Sequence, residues 1–319
     1  QGQGDPKLVL ERMWLLLRRI QGLGIRNIAG DIVLDNSAFA LPAADPSAFD
    51  GEPLRPYNAA ADALLINFKS VVMTFAPEPG NTVAHVQFDP PLAGVQMQAT
   101  VPLLGGECAD YRGALKADFS DPKAIRFAGG YAQSCGEKVW AVAYADPKGY
   151  AMRAVQGMWQ DMGGKLQGTV RMGTLAGTTA AAFKPVFEAR SAPLAEIVRD
   201  INKYSNNVMA QQVYLTLGRV LTPPNAVAGA GDAVTSPGSF EASHKVVQRW
   251  WVDRMGGDDL PVLDNGSGLS RTERISANAL GRMPQAAYAS PPMPELMGSL
   301  PINGADGTLR RAKPPTSGH

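Results

Sequence analysis

The 319-residue sequence predicts a multi-domain α/β protein, and three observations support this class. The chain is longer than a single compact core usually needs. Two segments repeat one plan, a helix followed by a short strand. Between them apolar and polar residues alternate with a period of two, whereas from residue 189 onward the pattern becomes helical. The predicted domain bounds are 1–44, 45–138, 139–188 and 189–319.

The first and third segments are predicted to be two halves of one β-α-β domain. Each opens on Asp-Pro-Lys, at residues 5–7 and 146–148. Strands are predicted at residues 30–34, 139–144 and 166–170. Coincidence between two ordinary helices remains the alternative to an internal duplication. Each helix carries apolar residues at i, i+3, i+4 and i+7, namely Met13, Leu16, Leu17 and Ile20 in the first and Val155, Met158, Trp159 and Met162 in the second.

The second segment, 45–138, is predicted to be β-rich, because alternating stretches are separated there by many Pro and Gly residues. His85 falls on the polar side of its stretch, so we expect it to be exposed and not catalytic. Cys108 and Cys135 are either two buried thiols or a disulfide that closes a loop of roughly 28 residues. The cysteine count alone leaves both open, and a disulfide would indicate an oxidising compartment.

The fourth segment is predicted to begin with two helices. The first has an apolar face from Leu194, with Ser191 as its N-cap, and the second spans about 208–217. Ser205 and Asn207 lie between them. A hydroxyl and an amide two residues apart on a tight turn can relay a proton and hold a substrate carbonyl. Taken alone, such an S-x-N pattern is more often a helix-capping turn.

Bulk composition narrows the function classes. The formal net charge is +1, so nothing marks a partner of nucleic acid or of an acidic membrane surface. No apolar run approaches the roughly 18–20 residues of a membrane helix. The three histidines, His85, His244 and His319, give poor support for a zinc site or a Ser-His-Asp triad, and no metal or cofactor is predicted. The chain opens on Gln1 with no signal peptide, so a processed or trimmed start is expected.

Three motifs in order carry a family resemblance. Residues 205–207 give S-x-N, residues 266–271 are G-S-G-L-S-R, and residues 300–309 are L-P-I-N-G-A-D-G-T-L. In this combination the sequence resembles the class C low-molecular-mass penicillin-binding proteins, the D-alanyl-D-alanine carboxypeptidase/endopeptidase family. The resemblance covers essentially the whole chain. Shorter matching stretches lie at 4–6, 30–31, 57–59 and 135–137.

The resemblance implies a penicillin-binding/β-lactamase-like transpeptidase domain, in which helices surround an antiparallel sheet. This domain, partial here at 189–319, carries an inserted β-α-β domain that itself contains a β-rich insertion. With it we predict that Cys108 and Cys135 form a disulfide. The implied location is the periplasm or another extracytoplasmic compartment of a bacterium.

The implied activity is that of a serine DD-peptidase of peptidoglycan metabolism. Such an enzyme hydrolyses the D-Ala-D-Ala ends of stem peptides, D-Ala-diaminopimelate cross-links, or both, through an acyl-enzyme, and β-lactams inhibit it covalently. Ser205 would pass a proton to the leaving amine and Asn207 would hold the substrate carbonyl. The S-x-x-K nucleophile motif is expected upstream of Gln1 and the K-T-G strand beyond His319. The only S-x-x-K in the chain, at 120–123, has a proline inside the required helical turn and is dismissed.

Three further residues are implied in substrate binding. Asp50 is expected to bind an amino group of a diaminopimelate-like residue, and Leu269 and Arg271 to line the same pocket. The alternatives are an Asp-Gly turn for Asp50 and a structural ion pair for Arg271. Lys203 is expected to be a solvated helix end and not a catalytic base. The rival functions are a catalytically inactive peptidoglycan-binding homologue and a β-lactamase, and a homo-oligomer remains open.

Overall fold

The computed structural model describes residues 9–174, 185–220 and 236–311, and in helix α5 it describes only the backbone of Val220. The predicted opening motif at 5–7 lies outside the described residues. Within them the architecture is mixed α/β, as predicted, with a curled mixed sheet and helices packed against it.

The helices of the described residues are α1 (Leu10–Gly22), α2 (Tyr111–Leu115), α3 (Tyr150–Asp161), α4 (Leu194–Tyr204), α5 (Asn207–Val220), α6 (Phe240–Met255), α7 (Ala277–Tyr288) and α8 (Met293–Ser299). The strands are β1 (Asn27–Ile28), β2 (Ile32–Leu34), β3 (Ser70–Pro77), β4 (Val83–Asp89), β5 (Gln96–Met97), β6 (Thr100–Leu104), β7 (Ala117–Asp118), β8 (Ala124–Phe127), β9 (Tyr131–Ala132), β10 (Lys138–Ala143), β11 (Lys165–Leu166) and β12 (Val170–Met172). Short 3₁₀ turns lie at Pro56–Asn58, Asn67–Lys69, Gln133–Cys135 and Gly307–Leu309.

The main sheet has five strands in the order β10-β3-β4-β6-β9. The predicted alternation is clear in β3, where Val71, Met73 and Phe75 are all buried. Strand β10 pairs antiparallel with β3 along its whole length. The predicted boundary between residues 138 and 139 therefore falls inside this sheet, because a strand that looked like the start of the next segment hydrogen-bonds back to the β-rich one. The other domain bounds remain a prediction.

Two parallel strand pairs join the first and third segments, β1 with β11 and β2 with β12. The strand predicted at 30–34 is shorter than expected and is preceded by β1. The strand predicted at 166–170 is divided into β11 and β12. The two helix-strand units thus lie side by side, while their origin by duplication remains a prediction.

A close approach between residues 30 and 168 lies at the interruption between β11 and β12. At Gly168 a Cβ atom would lie 2.4 Å from the carbonyl oxygen of Gly30, so the chain turns there with no room for a side chain. Asp31 stands beside the break and accepts hydrogen bonds from the Thr169 amide at 2.9 Å and from Arg171 Nε at 2.7 Å. These contacts hold the two strand pairs in register across the turn.

One hydrophobic core joins α1, α3 and the main sheet. The predicted helix faces supply Met13 and Leu17 from α1 and Val155, Met158 and Trp159 from α3, all buried. They belong to the same core cluster as the buried side chains of β3. Burial of this apolar surface is the main force that holds the first three predicted segments together.

Residues 67–69 form a buried left-handed turn that leads into β3. Asn67, Phe68 and Lys69 have φ of 44°, 52° and 51°, a region that is unfavourable for any residue with a Cβ. The turn is held from several sides. Asn67 Nδ2 donates to the carbonyl of Ser70 at 3.1 Å, and the Tyr150 hydroxyl donates to the same carbonyl at 2.7 Å.

Lys69 forms an ion pair with Asp62 at 2.8 Å, and the two side chains are only 11% and 18% exposed. Asp62 also accepts hydrogen bonds from Asn36 Nδ2 and from the Leu64 amide, both at 3.0 Å. Burial raises the pKa of the Asp62 carboxyl, but the Lys69 ammonium and the hydrogen bonds outweigh this effect and leave the pKa below its ordinary value. The carboxylate is therefore ionised in the folded protein at neutral pH.

The same segment is fastened to α5. The Gln212 side chain accepts from the Asp62 amide at 3.1 Å and donates to the Asp62 carbonyl at 2.8 Å. Phe68 lies in a second, smaller core cluster whose members from α4 and α5 are Ile197, Val208 and Met209. Helices α4 and α5 are thereby set against the segment that precedes β3.

Cys108 and Cys135 form a disulfide, with their Cα atoms 4.7 Å apart. This confirms the disulfide that was predicted together with the family resemblance. The predicted N-cap Ser191 is wrong, because α4 begins after Pro193 and has no side-chain cap. His85 is exposed, as predicted, and its Nε2 lies 3.4 Å from Glu78. No helix among the described residues is long and apolar enough to span a membrane.

We expect Lys69→Met to destabilise the protein by about 3–5 kcal/mol at pH 7, because it leaves the buried Asp62 carboxylate unpaired. In the wild type the pKa of Asp62 is depressed, so its stabilisation is present above the ordinary value of 3.8 and is lost as the pH falls through the lower folded value. In Lys69→Met the ammonium no longer counteracts the effect of burial, so the pKa of Asp62 rises. The difference in unfolding free energy between this variant and the wild type should therefore become smaller as the pH falls. Urea unfolding at pH 7 and pH 5 measures both effects.

The matched control is Lys245→Met, which removes the lysine of an exposed ion pair with Glu241 on α6. Exposed pairs contribute little, so its unfolding midpoint should stay close to that of the wild type. If Lys69→Met were as stable as this control at pH 7, the buried ion pair would not have the structural role given to it here.

Candidate active site

The S-N-N turn joins α4 to α5. Ser205 ends α4 in the left-handed region with φ of 51°, and its amide donates to the carbonyl of Ile201. Asn206 stands before α5, where its Oδ1 accepts from the Met209 amide at 3.0 Å, the geometry of an N-cap. Asn207 is the first residue of α5. The capping turn and the functional motif are therefore not exclusive alternatives, because the middle residue caps the helix and leaves its neighbours free for other contacts.

Asn207 connects this turn to the G-S-G-L-S-R loop. Its Nδ2 donates to the carbonyl of Ser267 at 2.8 Å. An amide Nδ2 carries two N–H donors, so one remains for another acceptor. The Ser205 side chain is exposed, and its hydroxyl forms no hydrogen bond with any described residue. The Ser205 hydroxyl and one N–H of Asn207 are thus left without a described protein partner, while the proton relay and the carbonyl contact remain predictions.

The loop is held tightly against α5. At Gly266, where φ is +69°, a Cβ atom would lie 2.4 Å from the ring of Tyr214. The Glu273 carboxylate accepts from the backbone amides of Asp264 at 3.3 Å and Gly266 at 3.4 Å. The Ser270 hydroxyl donates to Asp264 at 2.7 Å. These contacts fix the carbonyl to which Asn207 binds.

A cavity of about 310 Å³ lies next to this loop. Its walls come from the segment 44–60, from α5 and from the loop itself, and both Leu269 and Arg271 line it. Arg271 donates to the carbonyl of Phe49 at 3.0 Å, and its guanidinium lies 4.8 Å from the centre of the Phe49 ring. Arg271 therefore bridges the loop to the segment before β3 through a backbone hydrogen bond and a cation–π contact, where the alternative prediction was an ion pair.

Asp50 is exposed and is not among the residues that line the cavity. Its carboxylate accepts from the Tyr57 hydroxyl and from Asn58 Nδ2, each at 2.8 Å, and from the Glu52 amide at 3.0 Å. Desolvation raises the pKa of the Asp50 carboxyl, but these hydrogen bonds outweigh it and leave the pKa below its ordinary value. The following Gly51 has φ of +77°, so the Asp-Gly turn is also present.

Tyr57 and Asn58, which both donate to Asp50, line the cavity. The hydrogen bond to the Asp50 carboxylate raises the pKa of the Tyr57 phenol, so it stays protonated. Asn58 Nδ2 donates both to Asp50 and to the Glu52 carbonyl, at 3.0 Å in the second case. The sequence marked both residues only as part of a matching stretch, since nothing in the local pattern shows which side chains reach a cavity.

Lys203 is not a solvated helix end, and that prediction is wrong. Its side chain is only 13% exposed and forms an ion pair with Asp306. The same ammonium donates to the carbonyl of Leu300 at 2.6 Å. The sequence missed these contacts because the partners lie about 100 residues further along the chain.

The dismissed S-x-x-K at 120–123 does not lie on a helix. The Ser120 hydroxyl donates to Asp118 at 2.6 Å, and Lys123 is exposed. A stacked serine and lysine would require a helix there, and the structure has a turn between β7 and β8 instead. Within the described ranges no group of three or more His, Cys, Asp or Glu side chains could hold a metal ion.

The sequence matches the D-Ala-D-Ala carboxypeptidase 3 (S13) family over residues 1–318. It is 33% identical to a carboxypeptidase of Mycobacterium tuberculosis over 122 residues, which are 38% of this chain and 24% of that protein. It is 24% identical to the D-alanyl-D-alanine carboxypeptidase of Actinomadura sp. strain R39 over 327 aligned residues, which cover 95% of this chain and 54% of that protein. The chain thus spans between about a quarter and about half of the length of these curated relatives.

Solved structures show the same fold. The crystal structure of penicillin binding protein 4 (dacB) from Haemophilus influenzae superposes with a TM-score of 0.63 at 20% identity, and covers 98% of this chain and 66% of that chain. A second crystal structure of that protein, complexed with a novel β-lactam, superposes with a TM-score of 0.57 at 19% identity, and covers 98% of this chain and 65% of that chain. At this identity the likeness concerns the fold.

We expect Gly266→Ala to destabilise the loop for two reasons. The new Cβ would clash with the Tyr214 ring, and the alanine would have to adopt a left-handed backbone conformation. The expected cost is about 2–4 kcal/mol in the free energy of unfolding. Chemical unfolding measures it. Gly257→Ala is the control, because nothing lies within 4 Å of a Cβ there. Equal stability of the two variants would show that the loop is not packed on Tyr214.

Proposed function

Because the chain belongs to the D-Ala-D-Ala carboxypeptidase 3 (S13) family, we propose that it is part of a serine DD-peptidase of peptidoglycan metabolism. The enzyme would hydrolyse the D-Ala-D-Ala ends of stem peptides, D-Ala-diaminopimelate cross-links, or both, through an acyl-enzyme. The observation that carries this proposal is the contact between Asn207 and the Ser267 carbonyl. It brings the S-x-N turn and the G-S-G-L-S-R loop together beside a cavity.

In this mechanism the serine of an S-x-x-K motif attacks the carbonyl of the penultimate D-Ala, and the lysine of that motif acts as the base. No residue of the present chain is assigned to that pair. Ser205 passes a proton to the leaving amine, for which its exposed hydroxyl is suited. Asn207 uses its second N–H to hold the carbonyl of the substrate, while the first keeps the side chain on Ser267.

The cavity is proposed to bind the side chain of a stem-peptide residue such as a diaminopimelate. Leu269 supplies an apolar wall, and Arg271 supplies positive charge for a carboxylate. Asp50 is proposed to act on an ammonium group through Tyr57 and Asn58, which bind its carboxylate. The Tyr57 hydroxyl and Asn58 Nδ2 already donate their hydrogen bonds to Asp50 and to a backbone carbonyl. The oxygen atoms of both side chains can therefore only accept hydrogen bonds, which suits an ammonium group.

An extracytoplasmic location, such as the periplasm of a bacterium, is part of the proposal. The Cys108–Cys135 disulfide supports it, because structural disulfides persist in oxidising compartments. β-Lactams are proposed as covalent inhibitors of the complete active site. The β-lactam complex of the Haemophilus influenzae protein supports a penicillin-binding fold that accepts such compounds.

The test is the intact mass of a longer form of the protein that carries S-x-x-K and K-T-G segments, recorded with and without benzylpenicillin. A long-lived adduct of one penicillin is expected. Ser205→Ala should slow its formation by about 100-fold or more, because a positioned proton relay is lost while the fold stays intact. The 319 residues alone are expected to form no adduct.

Ser120→Ala is the matched control, because it removes the serine of the dismissed motif. It should be acylated at the wild-type rate. An adduct that hydrolyses within seconds would indicate a β-lactamase, and no adduct on the longer protein would indicate an inactive peptidoglycan-binding homologue. Wild-type acylation of Ser205→Ala would remove Ser205 from its proposed role.

The contribution of Tyr57 to the cavity can be tested separately. If Tyr57 contacts the ligand ammonium, Tyr57→Phe should weaken binding of free diaminopimelic acid to this chain by about 10-fold. If Asp50 binds the ammonium directly, removal of the phenol frees its carboxylate and affinity should stay equal or increase. Isothermal titration calorimetry separates the two outcomes, with Tyr288→Phe on α7 as the control, since that side chain is exposed and outside the cavity.

A further inference from the structure

We propose that Lys203 is a positioning residue for Ser205, acting through residues 300–306, an inference that rests on the proposed function of Ser205. Lys203 lies on the last turn of α4, two residues before Ser205. Its ammonium binds the Asp306 carboxylate and the Leu300 carbonyl, and little of the side chain is exposed. A lysine at a helix end is normally solvated, so these contacts with a distant segment are specific to this fold.

The segment that receives Lys203 is itself rigid. The Asp306 carboxylate uses its other oxygen to accept from the Ile302 amide at 2.7 Å. The Gly304 amide donates to the carbonyl of Leu309 at 3.0 Å, which closes the turn. The hydrogen bond from Lys203 has the largest effect on the pKa of Asp306, and the hydrogen bond from the Ile302 amide adds to it. Both lower this pKa below its ordinary value, so the Asp306 carboxylate is ionised at neutral pH.

Two further contacts fasten the same helical turn. Asn202 Nδ2 donates to the hydroxyl of Ser299 at 2.7 Å, and Ser299 is buried. At Gly307, where φ is +57°, a Cβ atom would lie 2.3 Å from the carbonyl oxygen of Lys203. The last turn of α4 is therefore held by the side chains of two consecutive residues and by a close backbone approach.

These contacts matter because the side chain of Ser205 has no anchor of its own among the described residues. Its hydroxyl is exposed and without a hydrogen bond to the described residues, and its backbone is in a conformation that a residue with a Cβ disfavours. The turn is fixed on both sides, by Lys203 before it and by Asn207 on Ser267 after it. The position of the hydroxyl follows from these two anchors, so loss of either one should move it.

The pairing also separates Lys203 from general-base chemistry. Two of the three ammonium donors are engaged by Leu300 and Asp306. Lys203 therefore acts on the reaction through the placement of Ser205 and not by taking a proton.

The first experiment uses the 319-residue chain and does not depend on activity. The Ser205 and Asn206 amides both donate to the Ile201 carbonyl, so their hydrogen exchange reports the closed turn. Lys203→Met should accelerate exchange at both amides by about 10-fold or more relative to the wild type. The control is Arg199→Met on the same helix, which removes an exposed cation 3.5 Å from Asp200. Unchanged exchange in Lys203→Met would overturn the proposal.

The second experiment measures penicillin acylation on the longer protein and separates the acylation rate constant from the noncovalent dissociation constant. Lys203→Met and Asp306→Asn should each lower the rate constant by about 10-fold or more, with little change in the dissociation constant, because the misplaced group acts in the reaction and not in binding. Lys203→Arg should restore most of the rate, since a guanidinium can reach both acceptors.

The outcomes are distinguishable. If Lys203→Met does not fold, Asp306→Asn decides, since its amide oxygen can still accept from the Ile302 amide. Wild-type rates in folded Lys203 and Asp306 variants, or no recovery in Lys203→Arg, would overturn this inference alone. No adduct on either the wild type or Arg199→Met would overturn the proposed function, and the exchange measurement would still judge the anchoring of the turn.

Discussion

Asp62 and Lys69 form a largely buried ion pair, and most of the described architecture meets at the segment between them. Lys69 is the last residue of the left-handed turn that precedes β3. The buried side chains of β3 belong to the same core cluster as those of α1 and α3. Three consecutive residues of the turn have an unfavourable backbone conformation. Such a conformation persists only because the surrounding contacts stabilise it. The ion pair fixes its last residue, and Phe68 in the middle of the turn packs on α4 and α5.

From that segment a continuous set of contacts leads to the candidate site. Gln212 of α5 binds both backbone groups of Asp62, which sets the helix relative to the main sheet. Asn207 at the start of the same helix binds the Ser267 carbonyl, and the loop beyond Ser267 supplies Leu269 and Arg271 to the cavity. One loop thus contributes to the S-x-N turn and to the proposed substrate pocket. A change in the loop should affect chemistry and specificity together.

Two charged residues near the site, Asp50 and Lys203, are proposed to act on a substrate through neighbouring residues and not by direct contact. The Asp50 carboxylate accepts hydrogen bonds from Tyr57 and Asn58, which leaves the acceptor atoms of these two side chains for the proposed ligand. Lys203 stands behind Ser205 and binds a segment that joins the site from the far end of the chain. In both cases the ionised group is satisfied by protein partners, so its effect on a substrate would come through the orientation of a neutral neighbour.

The sequence by itself determined the mixed α/β class, the faces of α1 and α3, the turn between α4 and α5, and the family, because these depend on local periodicity and on short motifs read in order. Leu269 and Arg271, which the sequence assigned to one pocket, both line one cavity, and their role in substrate binding remains a prediction. Only the tertiary structure decided the membership of β10 in the main sheet, the hydrogen-bond partners of Asp50 and the partners of Lys203 and Lys69. Each of these is a contact between side chains or strands whose partner is chosen by packing. A lysine at a helix end has the same local pattern whether it meets water or a carboxylate about 100 residues away.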